Sequence, residues 1–178
     1  MNQGTNRGKK FSGALSLYLI DGHNLIPHVR GLSLAAIDDE MQLIEQLQVF
    51  CRVKRRKVEV FFDQAPPGYS GTRGFGQVRA HFVRQGNTAD HAIAGRLARL
   101  KKAARNWTVV SSDRQVQASA RALQAAVLSS AEFAGLLAAA LEQGAQPSTG
   151  KPGPALSHKE VEEWLRLFGE AGGKPDEK

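Results

Sequence analysis

Apolar and polar positions alternate along the chain between short continuous runs and longer helically spaced stretches. The run at 15–20 has the length of a buried strand and ends in Asp21-Gly22. Behind Ser33 or Asp38 as candidate caps, Ile37, Met41, Ile44, Leu47, Gln48 and Cys51 recur at helical spacing. The β-branched and aromatic run at 58–62 predicts a second strand, ending at Asp63 and stopped by Pro66-Pro67-Gly68. Residues 69–76, rich in glycine, read as a mobile loop, and 78–83 as a third strand. Thr88 is the cap expected for a helix through Ile93, Leu97, Leu100 and Ala104, with Asp90 in its first turn. A strand at 107–110, a helix at 114–123, a short strand at 127–128 and a helix from Ser130 complete a β/α alternation. Such alternation predicts a mostly parallel sheet covered on both faces.

The ends read differently. Residues 1–14 lack any apolar period and suggest a disordered basic arm. The core, 15–143, is followed at 144–157 by a linker rich in Pro and Gly. An amphipathic helix is expected at 158–170, with Val161, Trp164, Leu165 and Phe168 on one face as a candidate protein-binding surface, and a disordered tail at 171–178.

Composition narrows the function classes. The 178 residues carry 24 Lys and Arg against 17 Asp and Glu, a net +7 that favours a polyanionic partner. The excess is +3 in the arm and +5 in the core, against −1 beyond residue 143. The lone Cys51 excludes an intrachain disulfide and a cysteine-rich zinc site, and fits a reducing cytoplasm. Arg7, Lys9 and Lys10 before an apolar run imitate a signal peptide, but Asp21-Gly22-His23-Asn24 stands where small residues should mark cleavage. No apolar run reaches the length of a membrane helix, so a soluble cytoplasmic protein is expected.

Candidate chemistry lies in the aspartates. Three strands end on Asp21, Asp63 and Asp113, and Asp90 opens the helix after the third strand. In a parallel sheet the strand carboxyl ends share one edge, where ligands bind. An aspartate after a strand is commonly a turn former or cap, but four on one edge repel one another unless a hard cation offsets their charge. Mg²⁺ or Mn²⁺ suits such oxygen ligands and supports phosphodiester hydrolysis by an activated water.

The segments Asp21-Gly22-His23-Asn24-Leu25-Ile26, Phe62-Asp63, Thr88-Ala89-Asp90-His91-Ala92-Ile93, Val109-Val110-Ser111-Ser112-Asp113-Arg114 and Leu128-Ser129-Ser130-Ala131-Glu132-Phe133 together resemble the YacP-type NYN family. The resemblance covers residues 16–140. It implies a PIN-like three-layer α/β/α fold and a metal-dependent ribonuclease site; some members act as ribosome-dependent mRNA endonucleases. It further implies Asp21, Asp90 and Asp113 as metal-site acids, Asp63 as a peripheral acid, Asn24 as a partner in the first loop, and Thr88 and Ser112 as nearby hydroxyls. The chain departs from the family at Asn87, where an acidic residue is common. A further acid could come from Asp38, Asp39 or Glu40, although a charged first helical turn explains that trio equally well.

For RNA, Arg55 and Arg56 lie in one basic cluster, while Arg96, Arg99 and Lys102 recur along the Asp90 helix. Arg73 and Arg79 stand with Tyr69 and Phe75 beside the glycine-rich loop, a combination suited to single-stranded RNA. Those glycines do not match a dinucleotide fingerprint, so no nicotinamide cofactor is expected. His23 is the one histidine singled out, for packing or proton transfer. Ser111 and Ser112 lack a pattern for a serine-hydrolase triad. The sequence reading is therefore a Mg²⁺- or Mn²⁺-dependent endoribonuclease acting on single-stranded RNA or mRNA, with the ribosome as a candidate partner. Its rival is a non-catalytic RNA- or ribosome-binding module on the same fold. A phosphatase or phosphotransfer domain is disfavoured by the lack of an Asp-x-Asp after the first strand.

Overall fold

The computed structural model describes residues 17–35, 38–65 and 68–145. The arm, the helix expected at 158–170 and the tail, with the linker beyond Ala145, lie outside the described residues. Six strands form one sheet in the order β3-β4-β2-β1-β5-β6. They are β1 (Leu17–Asp21), β2 (Lys57–Ala65), β3 (Gly71–Phe75), β4 (Val78–Arg84), β5 (Trp107–Val110) and β6 (Ala126–Leu128). All neighbours pair in parallel except β3 with β4. The helices are α1 (Gly22–Leu25), α2 (Asp39–Lys54), α3 (Ala89–Leu100), α4 (Arg114–Ala122) and α5 (Ser130–Ala145).

Two apolar clusters sandwich the sheet. On one face Leu43, Ile44, Leu47 and Phe50 of α2 and Phe133 and Leu137 of α5 pack with Ile20, Val58, Val60 and Phe62. On the other, Ile93 and Leu97 of α3 and Val116 of α4 pack with Leu19, Phe61 and Val109. Successive strand residues point to opposite faces, so Leu19 and Ile20, or Phe61 and Phe62, serve different layers. This is the three-layer α/β/α arrangement that the alternating pattern predicts.

Three elements differ from the sequence reading. β2 does not end at Asp63 but runs on to Ala65, because its pairing with β4 continues past an irregularity after Phe62. Residues 69–76 do not form a loop alone: Gly71–Phe75 pair antiparallel with β4 as the sheet's outer strand. β3 is mostly exposed and carries two glycines, so it has neither the apolar alternation nor the bulk by which a strand is recognised. Its backbone bonds to β4, not its side chains, hold it in the sheet. The Asp90 helix also ends sooner than its periodicity suggests. Lys101 turns to φ 50°, and a 3₁₀ stretch (Lys101–Asn106) brings the chain to β5.

The chain leaves β1 towards one face and β5 towards the other, since α1 and α2 belong to the first layer and α4 to the second. The crevice between the carboxyl ends of β1 and β5 is therefore the switch point, where open α/β sheets bind ligands.

Candidate active site at the strand carboxyl edge

Asp21 closes β1 at this crevice and is only 7% exposed. It caps α1 by accepting from the Asn24 backbone N–H at 3.2 Å, and its other oxygen accepts from Ser111 Oγ at 3.4 Å. The turn demands a glycine next in sequence: a Cβ on Gly22 would lie 2.3 Å from the Phe62 ring. Asn24 Oδ1 accepts from the Ser112 N–H at 2.8 Å and from Ser130 Oγ at 2.7 Å, tying the loop after β1 to the loop after β5 and to the start of α5. Ser111, fully buried, also accepts from the Asp113 N–H at 3.1 Å, so its hydroxyl connects the two aspartates.

Asp113 is the N-cap of α4, one oxygen accepting from the Gln115 and Val116 N–H groups at 2.6 and 3.1 Å. Thr88 caps α3 by accepting from the His91 N–H at 3.3 Å. Asp90 is thereby left free in the first turn and makes no hydrogen bond or ion pair with another described residue. A cavity of about 330 Å³ opens between the first turns of α3 and α4, lined by Thr88, Asp90, His91, Ala94, Gln115 and Val116.

Asp63, in β2, is engaged with His23, whose Nδ1 lies 2.5 Å from the carboxylate; His23 Nε2 lies 3.2 Å from Glu40 of α2. The two carboxylates, Glu40 foremost, raise His23 to about 9 against the opposing effect of burial. At neutral pH the ring is an imidazolium held between two acids, edge-on to Phe62 at 5.6 Å. The sequence singles out His23 and Glu40 separately but gives no sign that they meet, because the pair joins a loop to a helix through a turn of unpredictable length. Asp39 is buried and accepts from the Glu40 N–H, whereas the Asp38 side chain makes no capping bond.

The remaining acids oppose one another. Burial first, then repulsion from Asp90 and Asp63, raises Asp21 to about 6, although the Asn24 N–H pulls the other way. Burial also raises Asp90, with the charges of Asp113 and Asp63 adding to it. These carboxylates share one electrostatic environment, in which His23 relieves Asp21 and His91 relieves Asp90 only in part. The oxygen-only donor set fits Mg²⁺ or Mn²⁺. Among the described residues no group of three His, Cys, Asp or Glu is placed to hold a metal ion. Magnesium does not require such a group, since it binds through one or two carboxylates and keeps several waters. Cys51 offers no rival nucleophile: it is buried, and burial pushes its thiol to about 12.

The cations suggested for RNA are placed elsewhere. Arg55 and Arg56 precede β2, and Arg79 is the second residue of β4, so all three lie at the amino edge of the sheet. Arg99 and Lys102 lie at the far end of α3 from Asp90, and Arg99 Nε donates to the Gly95 carbonyl. Arg96 is committed to buried Glu59 by two hydrogen bonds of 2.7 and 2.9 Å, with His81 as a third partner at 3.0 Å. These partners outweigh burial and bring Glu59 down to about 2. Arg73 lies over the Tyr69 ring at 4.0 Å. At the aspartate edge the exposed cations are Arg84, closing β4, and Arg114, opening α4.

A profile of the YacP-like NYN domain matches residues 18–166. The chain belongs to the YacP-like NYN family. Among solved structures it is similar to Rae1 (YacP) from Bacillus subtilis, with a TM-score of 0.59 and 22% identity over 86% of this chain and 92% of that one. The W164L mutant of the same protein gives a TM-score of 0.59 and 21% identity over 72% and 78%. At that identity the likeness establishes the fold. No curated protein matches the chain significantly. Membership of this family joins the chain to a nuclease-like fold, and no described helix is long and apolar enough to cross a membrane.

Proposed function

We propose that the chain is a Mg²⁺- or Mn²⁺-dependent endoribonuclease that hydrolyses phosphodiester bonds of single-stranded RNA or mRNA in the cytoplasm, with the ribosome as a partner in substrate delivery. The observation that carries this reading is the coupled pair Asp21 and Asp90 at the strand carboxyl edge, each raised by burial and by neighbouring carboxylates whose effect His23 and His91 offset only in part. A bound divalent ion supplies charge neutralisation for the phosphate and a water acidic enough to attack it. Asp21 and Asp90 would hold that ion, with Asp113, whose charge Asp90 feels, as the third acid.

The other residues prepare this pair. Ser111 and the Asn24 N–H fix the two oxygens of Asp21. Asn24 and Ser130 lock the loops that carry Asp21 and Asp113. The His23 imidazolium sits between Asp63 and Glu40 and offsets one of their two charges, which leaves the edge net acidic around Asp21 and Asp90. The cavity beside Asp90 offers the strand of RNA a place to lie, and Arg84 at the end of β4 and Arg114 at the start of α4 lie on the same edge for its phosphates.

The test is cleavage of end-labelled single-stranded and structured RNAs by wild type, Asp21→Asn and Asp90→Asn, in Mg²⁺, Mn²⁺ or EDTA, with and without ribosomes. Metal-dependent cleavage lost in both folded variants is the expected result. RNA or ribosome binding without cleavage under every condition would replace this reading with a binding module on a nuclease fold.

A further inference from the structure

The charges of this domain are sorted by sheet edge. Strands β1, β2, β4 and β5 run in one direction, and their carboxyl ends carry Asp21, Asp63, Asp90 and Asp113. Their amino ends are basic. Arg55, Arg56 and Lys57 enter β2, Arg79 enters β4, and Lys101 and Lys102 lead towards β5. Of these, Arg56 is half-buried and the others are exposed. The register sets Lys57 beside Leu17 at the start of β1, four residues from Asp21, so the two poles are about 13 Å apart along the strand.

The basic edge also has a shape. A groove of about 410 Å³ runs between Lys57, Gly74, Gly76, Arg79 and Trp107, with Glu59 in its wall. That acid does not cancel the basic charge, because Arg96 and His81 already satisfy it; Arg79, 59% exposed, is 3.9 Å from it and keeps most of its guanidinium in water. A Cβ on Gly74 or Gly76 would meet nothing within 4 Å, so no side chain closes the groove at these two positions.

We propose that this amino edge is a second RNA site, a sequence-independent clamp for the phosphate backbone, separate from the aspartate edge. Clustered cations with few acceptors and no buried recognition group suit phosphate contacts, which fix position without reading bases. The clamp itself stands on the distribution of charge; that its polyanion is RNA rests on the nuclease reading above. Because the acidic edge repels phosphate until a cation is bound, the basic edge is where RNA is first retained.

The full chain is titrated with a fluorescent single-stranded RNA in EDTA, where cleavage is silent, over a range of salt concentrations. Arg55→Gln/Arg56→Gln/Lys57→Gln, Lys101→Gln/Lys102→Gln and Arg79→Gln are compared with wild type, and thermal melting confirms that each is folded. The triple variant is expected to weaken binding at least 10-fold and to lower the slope of log K against log salt by about 2, the loss of three single-strand phosphate contacts. Unchanged affinity and slope in all three variants would overturn the clamp. A poly-glutamate competitor that displaces RNA at equal charge concentration would overturn its assignment to RNA. Loss of binding in the variants, together with a wild type that never cuts RNA in any metal, would leave the clamp standing and remove the nuclease.

Discussion

Asp21 is held where its own charge is least favoured. Its folded value near 6 lies about 2 units above an ordinary aspartate, so ionising it costs the metal-free fold on the order of 2–3 kcal/mol at pH 7. Asp21→Asn removes the charge and keeps one acceptor oxygen for the Asn24 N–H, while its amide nitrogen donates to Ser111 Oγ where the carboxylate accepted from it. In EDTA the variant should be more stable than wild type by urea denaturation, while RNA cleavage in Mg²⁺ should fall at least about 100-fold. A variant both inactive and less stable would mean that Asp21 serves the fold instead. Beside it, Gly22→Ala forces a methyl into the Phe62 ring, and overpacking of this kind costs about 1–3 kcal/mol. The same denaturation experiment reads it, and Phe62→Leu in the same chain should recover part of the loss. These two neighbours pull opposite ways because one position is kept for chemistry and the other for packing.

At the scale of elements, the contact between α3 and β2 depends on Arg96 and Glu59. Glu59 is 6% exposed, and removing one partner of a buried pair leaves an uncompensated charge, at a cost of about 3–5 kcal/mol. Arg96→Met should therefore lower stability by about 3 kcal/mol, since His81 still reaches the acid, and leave RNA affinity unchanged in a salt titration. Weaker RNA binding without loss of stability would return Arg96 to the phosphate contacts. The spacing of Arg96, Arg99 and Lys102 describes a stripe on a helix, but not what faces it; only the sheet brings Glu59, 37 residues away, under Arg96. The same distinction runs through the whole chain. Strands β1, β2 and β5 and helices α2, α3, α4 and α5 were legible because burial on a defined face imposes a period. β3 was not, because an outer strand exposed to water is under no such constraint. That the aspartates share an edge also followed from the sequence, since Asp21 ends β1, Asp90 and Asp113 open helices, and Asp63 lies two residues before the end of β2 in a parallel sheet. The His23–Asp63–Glu40 bridge and the serine links did not, because they join side chains across turns whose geometry leaves no period.

Over the described residues, Glu59, Asp21 and His23 shape how stability should vary with pH when metal is absent, with Asp90 raised in the same sense as Asp21. Glu59 is lowered in the fold, so its contribution is present above an ordinary glutamate value and is lost as pH falls through about 2. Asp21 is raised, so its penalty is absent below pH 3.8 and complete above about 6. His23 is raised, so its contribution is full below 6.5 and is lost as pH climbs through about 9. Together they place the optimum in EDTA near pH 4.5, with one decline between about 4 and 6 and another between 6.5 and 9. Urea midpoints measured across this range should show both: the first should shrink in Asp21→Asn, the raised Asp90 keeping the remainder, and the second should be lost in His23→Gln. Mg²⁺ should act on the first decline alone, because a cation held by Asp21 and Asp90 binds the ionised fold and restores stability above pH 6 by mass action. A Mg²⁺ effect equal at pH 4 and pH 7, or retained in Asp21→Asn, would place the ion elsewhere on the protein. The profile thus tests the metal edge through folding, independently of whether the right RNA has been found.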